Sequence, residues 1–597
     1  MHVSRVVIKN FRSLENVDVC LSKGPTVVIG ENNVGKSNFI HALRICLDVG
    51  LPSTYRTLVK DDVFCGIDST KPFQVLIGVE FSGFEGNEHE EAMLLGTQIG
   101  PDKARLFYRF RPKKVVREAL AGGSLVGDLS LEDFSWELAG SGNPLVDLAD
   151  IEWDDDLSAL GATNFSLQNL QAYLVANLPA LRDVESDLQH SRRSSLVRLI
   201  DAIGVDKSEQ DKLVGIVGAA NSNIESSPTI QAIAQAIQNS FKQVTGPAFS
   251  LDVDLGLSSP TFQNIIRNLL VLLSGDLVKQ FEPTRNGLGL NNILYIAILM
   301  EHFRQRSAKG KSAGELILIE EPEAHLHPQL QNTLVEALLK MPFQSIMTTH
   351  STQVTSKTPL SSFVTLTARP GKSPKASVPA DNGMLTSGEI QDLERYLDAT
   401  KSNLLFAQKV MLVEGAAELL LIPSLVKAAL DIDLDRNGIS VVAIHGTHFA
   451  AYSKMFSAEG MPKRCAIVGD ADIDPAEIAA AGDDDDVPNG TDLTALESDY
   501  VKAFLGASTF EIELVHPDNL PLLVQVTREL GAPKITAALE MQLLMGGEIP
   551  VALKKRVLST AKRFGKARFA QVAARYVNEN CYVPAYIDRA VEWLLRN

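Results

Sequence analysis

Residues 29–38, IGENNVGKSN, follow the apolar run PTVV and lead into a stretch with helical apolar spacing that begins near Ser37. Residues 30–37 fit GxxxxGK[ST] between an expected strand and an expected helix, the context that makes this pattern a phosphate-binding loop. Gly30 and Gly35 allow backbone N–H groups to turn inward around phosphate oxygens. Asn32 and Asn33 share that loop, and the helix N-terminus adds partial positive charge. Lys36 is expected to reach the β- and γ-phosphates and Ser37 to ligate one Mg²⁺, so bound ATP is the expected cofactor.

A chain of 597 residues exceeds one hydrophobic core, and about two to four domains are expected. No stretch of about 18 apolar residues occurs, and the opening MHVSRVVIKNFRSLENV reads as a strand and not as a leader. No membrane association is therefore expected. Cys20, Cys46, Cys65, Cys465 and Cys581 are odd in number and scattered, as in a cytoplasmic protein with reduced thiols. A net charge of −17 excludes general affinity for nucleic acid and confines any such binding to a local patch. The charge is uneven. Residues 466–499 carry 11 acids and no Lys or Arg, whereas residues 551–597 carry 10 Lys and Arg against 3 acids. Together the two segments suggest a cation-requiring pocket near an anion-attracting strip.

Alternating patterns over VSRVVIKNF, PTVVIG, KPFQVLIGVEFSG and ARLFYRFRP predict strands, the last two as an antiparallel side sheet. Helical spacing takes over from about Asn164 to Gln243, and strands return with ELILIEEP and QSIMTTHS. This order predicts one ATPase fold in two parts, residues 1–150 and 251–385, interrupted by a helical insertion at 151–250. Residues 366–386, rich in Pro, Ser and Gly, read as a linker. Beyond it KVMLVEG, ISVVAIHG and RCAIVGDAD alternate with helices, so residues 400–597 read as a second, parallel-sheet domain with a basic C-terminal segment.

The partners of the phosphate loop set its subclass. LILIEEPEAHLHP, 316–328, is an apolar strand ending in two acids. Glu320 stands where a metal-anchoring acid is expected, and Glu321 where a base polarises the attacking water. SIMTTH, 345–350, ends in His350, placed to sense a γ-phosphate. With IKNFRSL and ENNVGKSN, these residues resemble the ABC-type ATPase heads of the SMC, Rad and RecF group. That resemblance implies two heads sandwiching ATP, each lending a signature loop to the other. The candidate loop RNGLGLNN, 285–292, keeps Gly287 and Gly289 but has Asn286 where the group has serine. The insertion has no sustained heptads, so a compact helical dimerisation element is expected instead of a coiled-coil arm.

In KVMLVEGAAELLLIPSL, Glu414 ends an apolar strand and Glu418 lies one turn into the next helix, facing the same way. CAIVGDADID ends a second strand with Asp470 and Asp472, which point to one side if the chain stays extended. Four such carboxylates repel one another unless Mg²⁺ or Mn²⁺ sits among them. Two ions ~3.5–4 Å apart activate a water and stabilise the leaving oxygen of a phosphodiester. The pattern resembles the Toprim domain, with its E…DxD signature. An ABC ATPase followed by Toprim is similar to the OLD (overcoming lysogenization defect) endonucleases, a group that includes the nuclease subunit of the Gabija anti-phage system. The resemblance makes Glu414, Glu418, Asp470 and Asp472 metal ligands and adds Glu511 from a TFEIEL strand (509–514). It also makes Lys566 in GKARFAQVAA the stabiliser of charge on the cleaved phosphate.

It implies a two-metal DNA endonuclease or nickase regulated by an ATPase, working in antiviral defence as a homodimer or larger homo-oligomer, with a helicase as a possible partner. The alternative is a RecF-like DNA-binding ATPase without nuclease activity, or an ATP site that senses nucleotide without turnover. His445 and His448 have a spacing open to metal or to a helix start. Asp483–Asp486 read as a solvated loop, and Lys554, Lys555 and Arg556 as phosphate contacts or helix cover.

Overall fold

The computed structural model describes residues 1–124, 128–180, 194–246, 249, 251–275, 279–280, 282, 287–309, 314–369, 371–398, 400–474 and 492–596. The chain divides into two compact units. One comprises Met1–Leu178, Leu316–Glu323 and His327–Asn597; the other comprises Pro179–Glu315 and Ala324–Leu326.

The first unit holds the expected α/β architecture. Its nucleotide sheet runs in the order Lys372–Ser377, Phe363–Arg369, Thr26–Gly30, Gln344–Thr348, Glu315–Glu320, Leu174–Leu178. Thr26–Gly30 and Gln344–Thr348 are buried throughout, which is why their sequences are nearly continuous apolar runs without alternation. Both pair in parallel with their neighbours, so Gly30, Glu320 and Thr348 emerge at one carboxyl edge.

Beside it lies an antiparallel sheet in the order Leu14–Cys20, His2–Phe11, Val75–Ser82, Lys103–Pro112, Phe134–Ser141, Ala162–Asn164, with Gln98–Gly100 added against Lys103–Pro112. Val75–Ser82 and Lys103–Pro112 pair antiparallel as expected, although a helix and the Gln98–Gly100 strand intervene between them.

Three boundaries differ from the sequence reading. Residues 366–386 are not a linker: Phe363–Arg369 and Lys372–Ser377 form an antiparallel pair, with Gly371 at φ 66 in the turn between them. The Gly and Ser content belongs to a hairpin turn and an edge strand. Residues 151–178, placed in the insertion, supply strands to both sheets. The long helices accordingly start at Ser195 instead of Asn164.

The second domain of this unit is a four-stranded parallel sheet, in the order Ile439–Ala443, Lys409–Val413, Cys465–Asp470, Val501–Gly506. Helix Ala416–Leu430 lays Leu421, Ile422 and Leu425 against it, and Phe510, Leu523 and Ile587 complete one core. Each such side chain contributes about 1.5–3 kcal/mol by leaving water, enough together to hold charged groups at the sheet edge. TFEIEL is not a strand: after Val501–Gly506 the chain turns into the one-turn helix Phe510–Glu513.

The other unit is helical: Ser195–Ile203, Lys207–Glu225, Pro228–Thr245, Phe262–Arg267 and Leu288–Ala308. Pro228 occupies the first turn, where its missing N–H costs nothing. Ile216, Ile224, Ile233 and Ile237 are exposed. Among the described residues no helix is long and apolar enough to cross a membrane.

Candidate nucleotide and metal sites

The phosphate loop adopts the backbone its sequence requires. Gly35 has φ 107, and a Cβ there would collide with Ser13 Oγ. Lys36 begins the helix Lys36–Leu47, and its Nζ donates to Gly30 O (3.0 Å) and Glu31 O (2.7 Å). Desolvation lowers the Lys36 pKa to about 8, against the opposing fields of Glu321, Glu31 and Glu323. An arriving phosphate would restore its charge. The loop borders a cavity of about 520 Å³ lined by Asn32, Asn33, Gly35, Lys36, Ser37, Asn38, Glu321, Thr348 and His350. Most of the residues expected to hold nucleotide thus meet in one place.

Glu320 closes its strand half-buried, and Glu321 turns to φ 46, its N–H donating to Thr348 O at 2.9 Å. That left-handed residue aims the second acid into the cavity while the first stays on the strand. The His350 imidazole has a lowered pKa, through desolvation and then the Lys36 charge. Glu323 was not singled out in the sequence, although EEPE contains it. Its Oε1 accepts from Thr349 Oγ1 (2.7 Å) and His350 N (2.9 Å), so it fixes the turn carrying the histidine. Burial pushes its pKa up. Gly287 precedes the helix Leu288–Ala308. Gly289 is buried where a Cβ would stand 2.5 Å from His325 O, so a backbone contact accounts for it. Asn286 and Asp483–Asp486 lie outside the described residues.

At the carboxyl edge of the second sheet, acids converge. Asp470 is only 5% exposed; its Oδ2 accepts from Phe510 N (3.0 Å), and its own N–H donates to Glu414 Oε1 (2.8 Å). Gly469 makes that approach feasible, since a Cβ there would stand 3.1 Å from Glu414 Oε1. Glu418, buried in the first turn of Ala416–Leu430, accepts from Gly415 N at 3.1 Å. Glu511 is 1% exposed; Lys566 Nζ holds its Oε2 at 2.9 Å, while Oε1 has no hydrogen-bond partner. Lys566 opens the helix Lys566–Ala573.

Burial, then Glu414, pushes the Asp470 pKa up to about 8. Burial likewise raises Glu414 and Glu418, with Asp472 and Glu511 adding to the effect. For Lys566, desolvation is outweighed by Glu511, Asp470 and Glu418, and its pKa rises.

The extended-chain argument for Asp472 fails. The strand ends at Asp470, and Asp472 has φ 57 and is exposed, so its direction comes from a turn and not from strand alternation. Among the described residues no group of three or more His, Cys, Asp or Glu stands at metal-binding spacing. The reason is local: Glu414, Glu418 and Asp470 each accept from a backbone N–H, and Glu511 holds Lys566. The donor set nevertheless suits a hard divalent ion, because the buried Glu511 Oε1 lacks a hydrogen bond and three neighbouring acids resist ionising without a cation. His445 and His448 are exposed, and His448 precedes the short helix Phe449–Ser453, the helix-start alternative. Lys555 is paired with Asp474 at 2.7 Å, and Arg556 donates to Lys534 O.

Comparison with known proteins matches this division of labour. The AAA ATPase domain family matches residues 1–242 and 173–355, more than half of the chain, and the overcoming lysogenization defect protein-like TOPRIM domain matches residues 405–472. The chain belongs to the OLD family. Relatives of this OLD-family chain include "Endonuclease GajA" of Bacillus cereus (strain VD045), 21% identical over 76% of this chain and 72% of that protein. Another is "Old nuclease" of Escherichia phage P2, 23% identical over 79% and 78%. Among solved structures, the C-terminal region of the Burkholderia pseudomallei OLD protein is 31% identical, covering 32% of this chain and 97% of that one, with a TM-score of 0.26. The family match over residues 405–472 makes the parallel-sheet domain the Toprim domain of the OLD-family chain.

Proposed function

We propose that the chain is a divalent-metal-dependent DNA endonuclease whose cutting is governed by ATP at the phosphate loop. The observation that carries this reading is the burial of Asp470 between Glu414 and Phe510, where burial first and then the Glu414 charge, with smaller contributions from Glu418 and Glu511, push its pKa up to about 8. A DNA-binding ATPase without nuclease activity has no use for such mutually repelling acids. Glu414, Glu418, Asp470, Asp472 and Glu511 would hold Mg²⁺ or Mn²⁺, and the ions would supply an acidified water and neutralise oxygen charge on a phosphodiester. Lys566, whose side chain is 39% exposed, would exchange Glu511 for the negative charge growing on the cleaved phosphate. The basic surface of residues 551–597 gives the DNA backbone a path to an otherwise repelling acidic pocket.

In the ATPase part, Ser37 and Glu320 would hold Mg²⁺ with the nucleotide, Glu321 would orient water, and His350 would sense the terminal phosphate. The exposed isoleucines of the helical unit support self-association as a dimer. The testing experiment is plasmid nicking with each metal crossed against no nucleotide, ADP and a non-hydrolysable ATP analogue. Nicking that needs Mg²⁺ or Mn²⁺ and disappears in Asp470→Ala supports the reading; nicking that survives that variant sinks it.

A further inference from the structure

Behind the phosphate loop lies a second cavity, of about 400 Å³, that shares Gly30, Glu31, Asn32 and His350 with the ATPase but is closed by Toprim residues Phe406, Gln408, Asp435, Gly438 and Ser440, among others. The short helix Asn403–Phe406 packs on both the phosphate-loop strand and the Toprim strand Ile439–Ala443. One side chain fixes this wall. Lys463 is 4% exposed, and its Nζ donates to Leu405 O (2.9 Å) and Ala407 O (2.7 Å), the carbonyls on either side of Phe406. Glu31 of the phosphate loop is the acid whose field acts on it, opposing a desolvation that lowers its pKa to about 8. A buried ammonium spent on two backbone carbonyls is costly as a stability device, because an apolar residue of similar length fills the same space more cheaply.

Its position explains the expense. Lys463 lies two residues before Cys465–Asp470, and Ala407 lies two residues before Lys409–Val413. These strands are parallel neighbours, with Val410 opposite Cys465 and Val413 opposite Val468. They are pinned together at their amino ends by Lys463 and at their carboxyl ends by the bond from Asp470 N to Glu414 Oε1. Strands of this length span roughly 17 Å, so a shift at one end is delivered to the acids at the other.

On the reading proposed above, we infer that Lys463 is the positioning residue through which a terminal phosphate bound in the phosphate-loop cavity sets the relative register of the two strands that carry Glu414 and Asp470, the link running through Glu31 and the wall that the two cavities share at Asn32 and His350. The terminal phosphate is sensed as added negative charge at the shared wall, not through any contact with the nuclease acids.

The test uses the full chain and Lys463→Met, which keeps length and removes charge. Nicking is measured with no nucleotide, ADP and a non-hydrolysable ATP analogue. Wild type is expected to change rate between nucleotide states by about fivefold or more; Lys463→Met is expected to lose that ratio between states while nucleotide affinity stays within about twofold, and Lys463→Arg is expected to recover part of it. Glu31→Gln removes the phosphate-loop side of the same link and is expected to shrink the response, which keeps the inference open to refutation even if Lys463→Met does not fold. A full wild-type response in Lys463→Met or in Glu31→Gln overturns the inference, as does a wild type that nicks equally in all nucleotide states. Absence of metal-dependent nicking in every state is a different result and overturns the nuclease reading itself.

Discussion

The Glu414 carboxylate accepts a 2.8 Å hydrogen bond from the backbone N–H of Asp470, joining the ends of two parallel strands and bringing the two acids together. The bond occupies one Glu414 oxygen and leaves the charge of the other facing its neighbours. The site is therefore held in shape by the backbone and kept under repulsion by its side chains, an arrangement relieved by cations.

Asp470→Asn tests that repulsion. The amide oxygen still accepts from Phe510 N, while the cost of burying an acid that must take up a proton to stay neutral below about pH 8 is gone. The metal-free protein is expected to melt about 2–4 °C higher than wild type. Mg²⁺ or Mn²⁺ should no longer raise its melting temperature. Thermal unfolding with and without metal, in excess chelator for the metal-free arm, checks both expectations.

Lys566→Met has the opposite sign. Glu511, 1% exposed, loses its ion-pair partner, while Lys566 itself is 39% exposed and partly solvated. The metal-free protein is expected to lose about 1–3 kcal/mol, less than a fully buried pair would cost. Nicking should fall by about 10²–10³-fold through loss of charge stabilisation. Chemical denaturation and single-turnover nicking separate the two effects, and added metal should recover most of the stability but not the rate.

Nucleotide binding is expected to depend on pH through Lys36. Desolvation lowers its pKa to about 8, and phosphate oxygens beside it would raise it again. Binding then takes up a proton wherever the free lysine is partly neutral, so affinity is flat well below pH 8 and falls as pH rises through that value. At about one unit above it the loss should be close to tenfold. Calorimetric titration in two buffers of different ionisation enthalpy reads the proton uptake directly, and Lys36→Met should abolish it.

Glu323→Gln tests the acid that the sequence reading passed over. The amide can still accept at one oxygen, but the charge that orders Thr349 Oγ1 and His350 N is lost. Nucleotide affinity should change less than about threefold and phosphate release should fall by about tenfold, the signature of a misplaced group that acts mainly in the transition state.

The elements that read well in the sequence are those whose burial is uniform. Thr26–Gly30, Gln344–Thr348, Lys409–Val413 and Cys465–Asp470 are short apolar runs ending in chemistry-bearing residues, and parallel sheets bury such strands on both faces. What misled was composition where tertiary pairing overrides it. The Pro, Ser and Gly of 366–386 sit in an edge hairpin because Phe363–Arg369 finds the phosphate-loop strand as a partner. Glu511 was placed by family resemblance on a strand; Phe510–Glu513 is a single helical turn, capping the sheet edge so that Phe510 N reaches Asp470. Strand alternation does not aim Asp472, because the strand ends at Asp470 and Asp472, two residues on, is itself left-handed. Lys463 and Glu323 carried no local signal, since each works through backbone atoms far away in the sequence.

The central claim is that these Toprim acids form a divalent-cation site, and calorimetric titration of Mg²⁺ and Mn²⁺ into the nucleotide-free chain tests it most directly. Saturable uptake that is lost in Asp470→Asn and in Glu511→Gln, and kept in Ser37→Ala, is the expected result. No uptake by wild type, or uptake unchanged by both Toprim substitutions, contradicts it.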